Sequence, residues 1–251
     1  MARARSRLSS YVFLLALAAA VAAVWWFGRG EDPRAALPTT SPVPSPAPTG
    51  SGAPTKSAGP KAEAPGFPPA AAAARKSLAA LKVAWGKNWE SYQRSEFGPF
   101  TPRTDDRCDT RDYVLIRDLD KLRRGDRNPC VILYGVLHDP YTGKEHPYTY
   151  RKASQVEIDH LVPLGAAWRA GAYGWSAERR SAFANDIDEL LAVDKQANQD
   201  KGSQTPDKWK PRKAYWCEYG RRWTGIKAKY HLTVTAPEKL ALQDLLASCP
   251  R

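Results

Sequence analysis

Close cysteine pairs are missing from this chain. Its 251 residues hold four cysteines, Cys108, Cys130, Cys217 and Cys249, and no two form a CxxC pair. Zinc sites usually draw ligands two to four residues apart, so this spacing argues against one. No internal repeat is visible, which sets aside repeat architectures. Acidic residues are in deficit, with 26 Asp and Glu against 38 Lys and Arg, a net charge of +12. Large apolar side chains are nearly absent from Glu31 to Arg75, where only Leu37 and Phe67 interrupt a stretch rich in Pro, Ala, Ser, Thr and Gly. Such a stretch buries too little surface to offset its ordering entropy and reads as a disordered, proline-stiffened linker over residues 31–75.

Ahead of it, Arg3, Arg5 and Arg7 precede an uncharged, mostly apolar run from Tyr11 to Phe27. A basic segment followed by an apolar one opens a secreted or anchored protein, so residues 1–30 read as a signal peptide or an N-terminal membrane anchor. The run is long for a signal core and falls short of the about 20 residues of a spanning helix. Trp25 and Trp26 at its far end suit an interfacial belt. Ala20 and Ala22 offer a cleavage site, but one that leaves both tryptophans near a new terminus, and the balance leans to an uncleaved anchor. Either way the rest of the chain is expected outside the cytoplasm, with the membrane touched only through this segment. An even cysteine count behind an export signal argues for disulfides. Of three connectivities, Cys108–Cys130 with Cys217–Cys249 is preferred because each closes a local loop, although spacing alone does not fix the pairing.

Folded sequence is expected over residues 76–251. That region carries 30 Lys and Arg against 23 Asp and Glu, a balance of +7. Such a charge suits a polyanion, nucleic acid or an anionic cell surface, and equally a basic secreted domain with neither. Periodicity predicts helices over 76–84 and 111–122, strands over 131–137, 147–151 and 155–159, and a DPYTG turn at 139–143. Helices over 164–172 and 176–185, a short strand over 190–193, a helix over 194–201 ended by Gly202, and helices over 212–230 and 236–247 follow. The order is α+β.

The chemistry gathers in Glu157-Ile158-Asp159-His160-Leu161-Val162-Pro163 and, downstream, Asn198-Gln199-Asp200-Lys201-Gly202. Neighbouring strand residues point to opposite faces, so Asp159 and His160 share a site only where the strand ends and bends, as Pro163 suggests. There a carboxylate can hold a divalent cation while imidazole takes a proton from water. Asn198 offers a further oxygen ligand, and the donor set suits Mg²⁺, with Mn²⁺ or Ca²⁺ as alternatives, over Zn²⁺. Lys201, one turn on, is placed to meet a phosphate or stabilise developing charge. An Asp-His pair alone is structural far more often than catalytic; the strand, the proline and the NxxKG that follows raise the catalytic reading. Glu157 reads as a surface or supporting acid, His138 and His146 as hairpin residues, His231 as structural, and Trp168, Trp175 and Trp209 as core.

The segments EIDHLVPL, GAAWRAGAYGW, RRSAFAND and LLAVDKQANQDKGSQTPDKWKP, with SYQRSEFG, CDTRDYVLIRDL and the DPYTG hairpin upstream, resemble the secreted bacterial branch of the HNH nucleases, related to the C-terminal nuclease domain of GmrSD restriction enzymes. The resemblance runs from about Ala84 to Cys249. It implies a ββα-metal (HNH) core with an added hairpin and flanking helices, braced by disulfides. His160 would be the general base, and Asp159 and Asn198 the metal ligands. The family's middle amide falls on Glu189, where a carboxylate would accept the imidazole N–H and raise the pKa of His160, or else Asp188 and Glu189 are surface acids. Arg111 matches the family's TR motif and could clamp a phosphate or pair with an acid. Arg179 and Arg180 could line a nucleic-acid surface or simply a solvated helix face. The expected activity is a metal-dependent endonuclease of little sequence specificity, acting on DNA more than RNA, with no protein partner evident. The alternative is a basic module of the same fold that binds DNA or cell wall without cutting.

Overall fold

The computed structural model describes residues 67–101, 108–152 and 155–250. The expected export segment and the linker up to residue 66 lie outside these residues, and none of the described helices is long and apolar enough to cross a membrane. Helix α1, Ala71–Ala80, begins ahead of Lys76 because its alanines are strong helix formers and Ala74 and Leu78 face the core.

Asp109 opens α2, Thr110–Asp118, through a reciprocal capping box with Asp112. The helical pattern of the sequence runs on to Leu122, but the chain leaves the helix at Asp118. Arg117 donates to the carbonyls of Ile187 and Leu190, both at 2.6 Å, and Asp118 accepts the Ala192 N–H at 2.9 Å. Held there, the following residues become strand β1, Leu119–Arg124, antiparallel to β2, Ile132–His138, with Leu119 opposite Leu137. Tertiary pairing thus overrides a local helical pattern. Strand β3, Glu145–Thr149, completes a three-stranded sheet through the DPYTG turn, where Gly143 takes φ +79° and donates to the Asp139 carbonyl.

A second sheet has two antiparallel strands, β4, Val156–His160, and β5, Leu190–Asp194, with Asp159 opposite Leu191 and His160 opposite Leu190. Between them run α3, Leu164–Arg169, and α4, Ala177–Ala184. Helix α5, Lys195–Lys201, follows β5 directly, capped by Asp194 and ended by Gly202 at φ +47°. The chain closes with α6, Trp216–Lys229, and α7, Ala236–Ala247, whose Thr235–Glu238 capping box and early Pro237 match the start expected from sequence.

Two apolar clusters hold these pieces. The larger joins Leu78, Phe183, Tyr219, Trp223, Leu242 and Leu245, and it includes Trp168 with Trp175 and Trp209 packed against it. The smaller, around Val114, Leu115, Leu137 and Leu190, glues α2 and the first sheet to β5. The disulfides Cys108–Cys130 and Cys217–Cys249 form as preferred from the sequence.

Candidate functional site

Strand β4 ends at His160, and Glu189 makes the bend. Its backbone carbonyl accepts the Leu161 N–H at 2.8 Å and its Oε1 accepts the Val162 N–H at 2.9 Å, after which Pro163 leads into α3. With the chain turned there, Asp159 and His160 line one cavity of about 240 Å³ together with Tyr92, Arg94, Asn198 and Ser203.

Asp159 is 5% exposed, and each of its oxygens accepts one hydrogen bond. Its Oδ1 accepts from Lys201 Nζ at 2.8 Å and its Oδ2 from the Tyr141 hydroxyl at 2.5 Å. Burial pushes the carboxyl above its ordinary range, and the Lys201 ammonium and the Tyr141 hydrogen bond pull it back. The spacing of Lys201 predicts that it meets a phosphate or stabilises developing charge. It is instead completely buried beneath Asp159, with Nζ also 2.8 Å from the His160 carbonyl, and it is not among the residues lining the cavity. Its place on α5 reads from sequence as one turn of a short polar helix, which does not reveal a buried partner.

Tyr141 comes from the DPYTG turn, which the sequence reading took only as a turn. Asp139 accepts the Thr142 N–H at 2.6 Å and, with its other oxygen, the Asp194 N–H at 2.9 Å, so the turn is welded to the junction of β5 and α5. That weld carries the buried phenol to Asp159, and burial raises the phenol's pKa well above its ordinary value. Nothing in the local spacing marks this contact.

His160 sends its Nε2–H to the Ala184 carbonyl at 3.0 Å and stacks on Phe100, ring centroids 6.1 Å apart. Burial lowers its pKa to about 3, and the nearby charges of Arg94 and Lys201 act in the same direction. The imidazole is therefore neutral, with Nδ1 left as the acceptor nitrogen. This corrects the expectation that Glu189 would accept the imidazole N–H and raise the histidine's pKa. Glu189 is fully buried, bonds the loop rather than the ring, and leaves Oε2 with no hydrogen-bond partner among the described residues. Desolvation raises its own pKa well above the ordinary carboxyl value. Asn185 fixes the segment carrying the Ala184 carbonyl, since its Oδ1 accepts from the Thr101 N–H and the Thr110 hydroxyl, both at 2.8 Å.

Asn198 donates Nδ2 to Glu157 Oε2 at 2.9 Å. Glu157 thereby orients the amide that lines the cavity. Arg94, exposed on the cavity wall, escaped the sequence reading, whose only hint was its place within SYQRSEFG. The three arginines proposed from sequence lie elsewhere. Arg111 stands in the first turn of α2 and does not line the cavity. Arg179 sits 4.6 Å over the Trp175 ring and donates to the Tyr230 carbonyl. Arg180 pairs with Glu96 at 2.8 Å and also donates to the Trp175 carbonyl, which fixes α4 to the segment before it. Cys108, Asp112 and Cys130 bring three potential ligand atoms within 4.8 Å of one another, but both sulfurs are spent on the disulfide.

The family model for the C-terminal domain of GmrSD restriction endonucleases matches residues 109–245. A protein of Arthroderma benhamiae (strain ATCC MYA-4681 / CBS 112371), described as an uncharacterized secreted protein, is 39% identical over 184 residues, which is 72% of this chain and 87% of that protein. No solved structure matches the chain.

Proposed function

This chain belongs to the family of GmrSD restriction endonuclease C-terminal domains, and from that premise we propose that it is an extracytoplasmic, metal-dependent endonuclease with His160 as its general base. The observation that carries the reading is the state of His160: neutral, with Nε2 committed to the Ala184 carbonyl, on a cavity wall shared with Asp159, Asn198 and Arg94. A base must start unprotonated, and a fixed tautomer leaves one defined nitrogen to take the proton. His160 accepts a proton from the attacking water at Nδ1, and Arg94 steadies the phosphate oxygens of the nucleic-acid strand. Lys201 and Tyr141 act through Asp159, holding its carboxylate in place. The antiparallel pair β4 and β5 followed by α5 supports the reading of a ββα-metal core.

The donor set fits a hard divalent cation. Each Asp159 oxygen receives one hydrogen bond and keeps a lone pair, and Asn198 spends its Nδ2 on Glu157 and keeps its carbonyl oxygen. Asp159 and Asn198 would hold the ion, and all-oxygen ligation favours Mg²⁺, Mn²⁺ or Ca²⁺. When bound, such an ion polarises a phosphoryl oxygen and offsets its developing charge. Two disulfides, an export-like N-terminus and a relative described as secreted support action outside the cytoplasm.

A second reading, a basic module that binds nucleic acid without cutting it, draws on one observation: the Asp159 carboxylate is already paired with a buried ammonium. A plasmid-nicking assay with the full-length chain, with Mg²⁺ or Mn²⁺ and with chelator, separates the two. Cleavage by wild type should fall by about 10²- to 10⁴-fold in His160→Ala while DNA binding persists. His160→Ala cleaving at the wild-type rate overturns the general-base assignment. Wild type that binds DNA but nicks under no divalent ion selects the second reading.

A further inference from the structure

A second cavity lies beside the candidate active site. It measures about 510 Å³, within the roughly 300–1,000 Å³ common for small-molecule clefts. Its walls include Trp85, Arg169, Ser203, Thr205 and Lys208. Ser203 lines both this cavity and the one at Asp159 and His160, so the two adjoin at that residue. Arg169 braces that boundary by donating to the Ser203 carbonyl at 2.8 Å. Its guanidinium lies 5.0 Å over the Trp89 ring, which in turn stacks at 5.3 Å on Tyr92 of the catalytic cavity.

Trp85 is the most exposed large apolar side chain among the described residues, at 78%, and has no ring contact among them. Its backbone is nevertheless fixed. Ala84 N–H donates to the Val234 carbonyl at 2.8 Å and Lys87 N–H to the Arg169 carbonyl at 3.1 Å, so the backbone that carries the indole is pinned on both sides. A Cβ at Gly86 would lie only 3.2 Å from the Arg169 side chain, which is how closely this segment approaches α3. An indole carried on a fixed backbone and left bare beside a cavity is a stacking platform for a flat partner.

Charge identifies which part of a nucleotide fits. The cavity lining carries Arg169, Lys208 and Lys227 against Asp207 and Glu238, and the last lysine and glutamate are paired with each other. So balanced a wall is poorly suited to tracking phosphates and well suited to an uncharged ring. In an intact duplex both faces of every internal base are covered by its neighbours, whereas an unpaired base offers its face to an aromatic side chain. Resting on the nuclease reading above, we infer that this cavity takes an unpaired base flanking the scissile phosphate, stacked on Trp85, and that the preferred substrate is single-stranded nucleic acid.

Fluorescence anisotropy in chelator tests this without cleavage, with labelled oligothymidylate and a hairpin duplex as probes for the full-length chain, Trp85→Ala and Trp85→Phe. Trp85→Ala should weaken oligothymidylate binding about tenfold and change duplex binding by less than about twofold, with Trp85→Phe recovering most of the loss. Wild-type affinity in Trp85→Ala, equal losses on both probes, or failure of wild type to bind the oligonucleotide each overturn the inference. Because no bond is cut, the nuclease reading fails separately: a chain that binds single strands through Trp85 and cleaves under no ion loses its activity but keeps this subsite.

Discussion

Two buried lysines hold two buried carboxylates in this fold, and they serve different ends. Lys227 meets Glu238 at 2.7 Å between α6 and α7, and Lys201 meets Asp159 at 2.8 Å between α5 and β4. Each lysine also reaches a backbone carbonyl at 2.8 Å, that of Thr233 in the first case and of His160 in the second. The carboxylates differ in what remains to them. Glu238 is taken up by Lys227, by the Trp223 indole at 2.8 Å and by the Thr235 N–H of its own helix cap. Asp159 has two donors, one per oxygen, and sits where the chain bends beside His160. In the nuclease reading, the pair at Glu238 is a staple, and the pair at Asp159, whose residue lines the candidate cavity, is a positioning device.

The largest expected effect comes from Lys201→Met, which strands a buried carboxylate. Unfolding free energy should fall by about 3–5 kcal/mol, and kcat of the molecules that remain folded should collapse with it. Denaturant melts and single-turnover cleavage read the two losses separately. Lys227→Met should show a stability loss of the same size with kcat preserved, and a kcat loss there would erase the distinction between the pairs. Tyr141→Phe removes one donor from Asp159 and should cost about 1–3 kcal/mol, with slower cleavage. Thr235→Ala, trimming the cap beside Glu238, should cost about 1 kcal/mol and leave cleavage alone.

The smallest effect concerns pH. Glu189 has a raised pKa in the fold, so the folded state keeps a proton that the unfolded chain releases above the ordinary carboxyl value. Its contribution is fully present below that value and is lost as pH rises through the folded one. In Glu189→Gln the melting temperature relative to wild type should therefore climb between pH 4.5 and pH 8. A difference that stays flat across that range would mean the carboxyl is ionised in the fold.

Helices α5 and α7 were legible in the sequence. Helical spacing placed α7 at 236–247, and Gly202 marked the end of α5. The break at Asp118 was not, because it is made by Arg117 and Asp118 gripping β5 from a distance of more than sixty residues along the chain. At the site, Asp159, His160 and Asn198 could be read because adjacency and spacing carry them to one cavity. Tyr141 and Arg94 could not, since they arrive from a turn and a loop whose local patterns serve other purposes. Glu189 was visible as a departure, yet its partner, the Val162 N–H, is set by the register of β4 against β5 rather than by composition.

The two disulfides close separations of 22 and 32 residues, each worth about 3–4 kcal/mol by loop-closure entropy. One clamps the entrance to α2 against the loop between β1 and β2, and the other locks the end of α7 to the start of α6. Neither has a cysteine on β4, β5 or α5. Covalent reinforcement therefore ties down the helices that flank the candidate site, while Asp159 and His160 are held without a cross-link, by hydrogen bonds and the Lys201 ion pair. Resistance to wear and precision of alignment are carried by separate parts of the molecule, and either can be altered by engineering without redesigning the other.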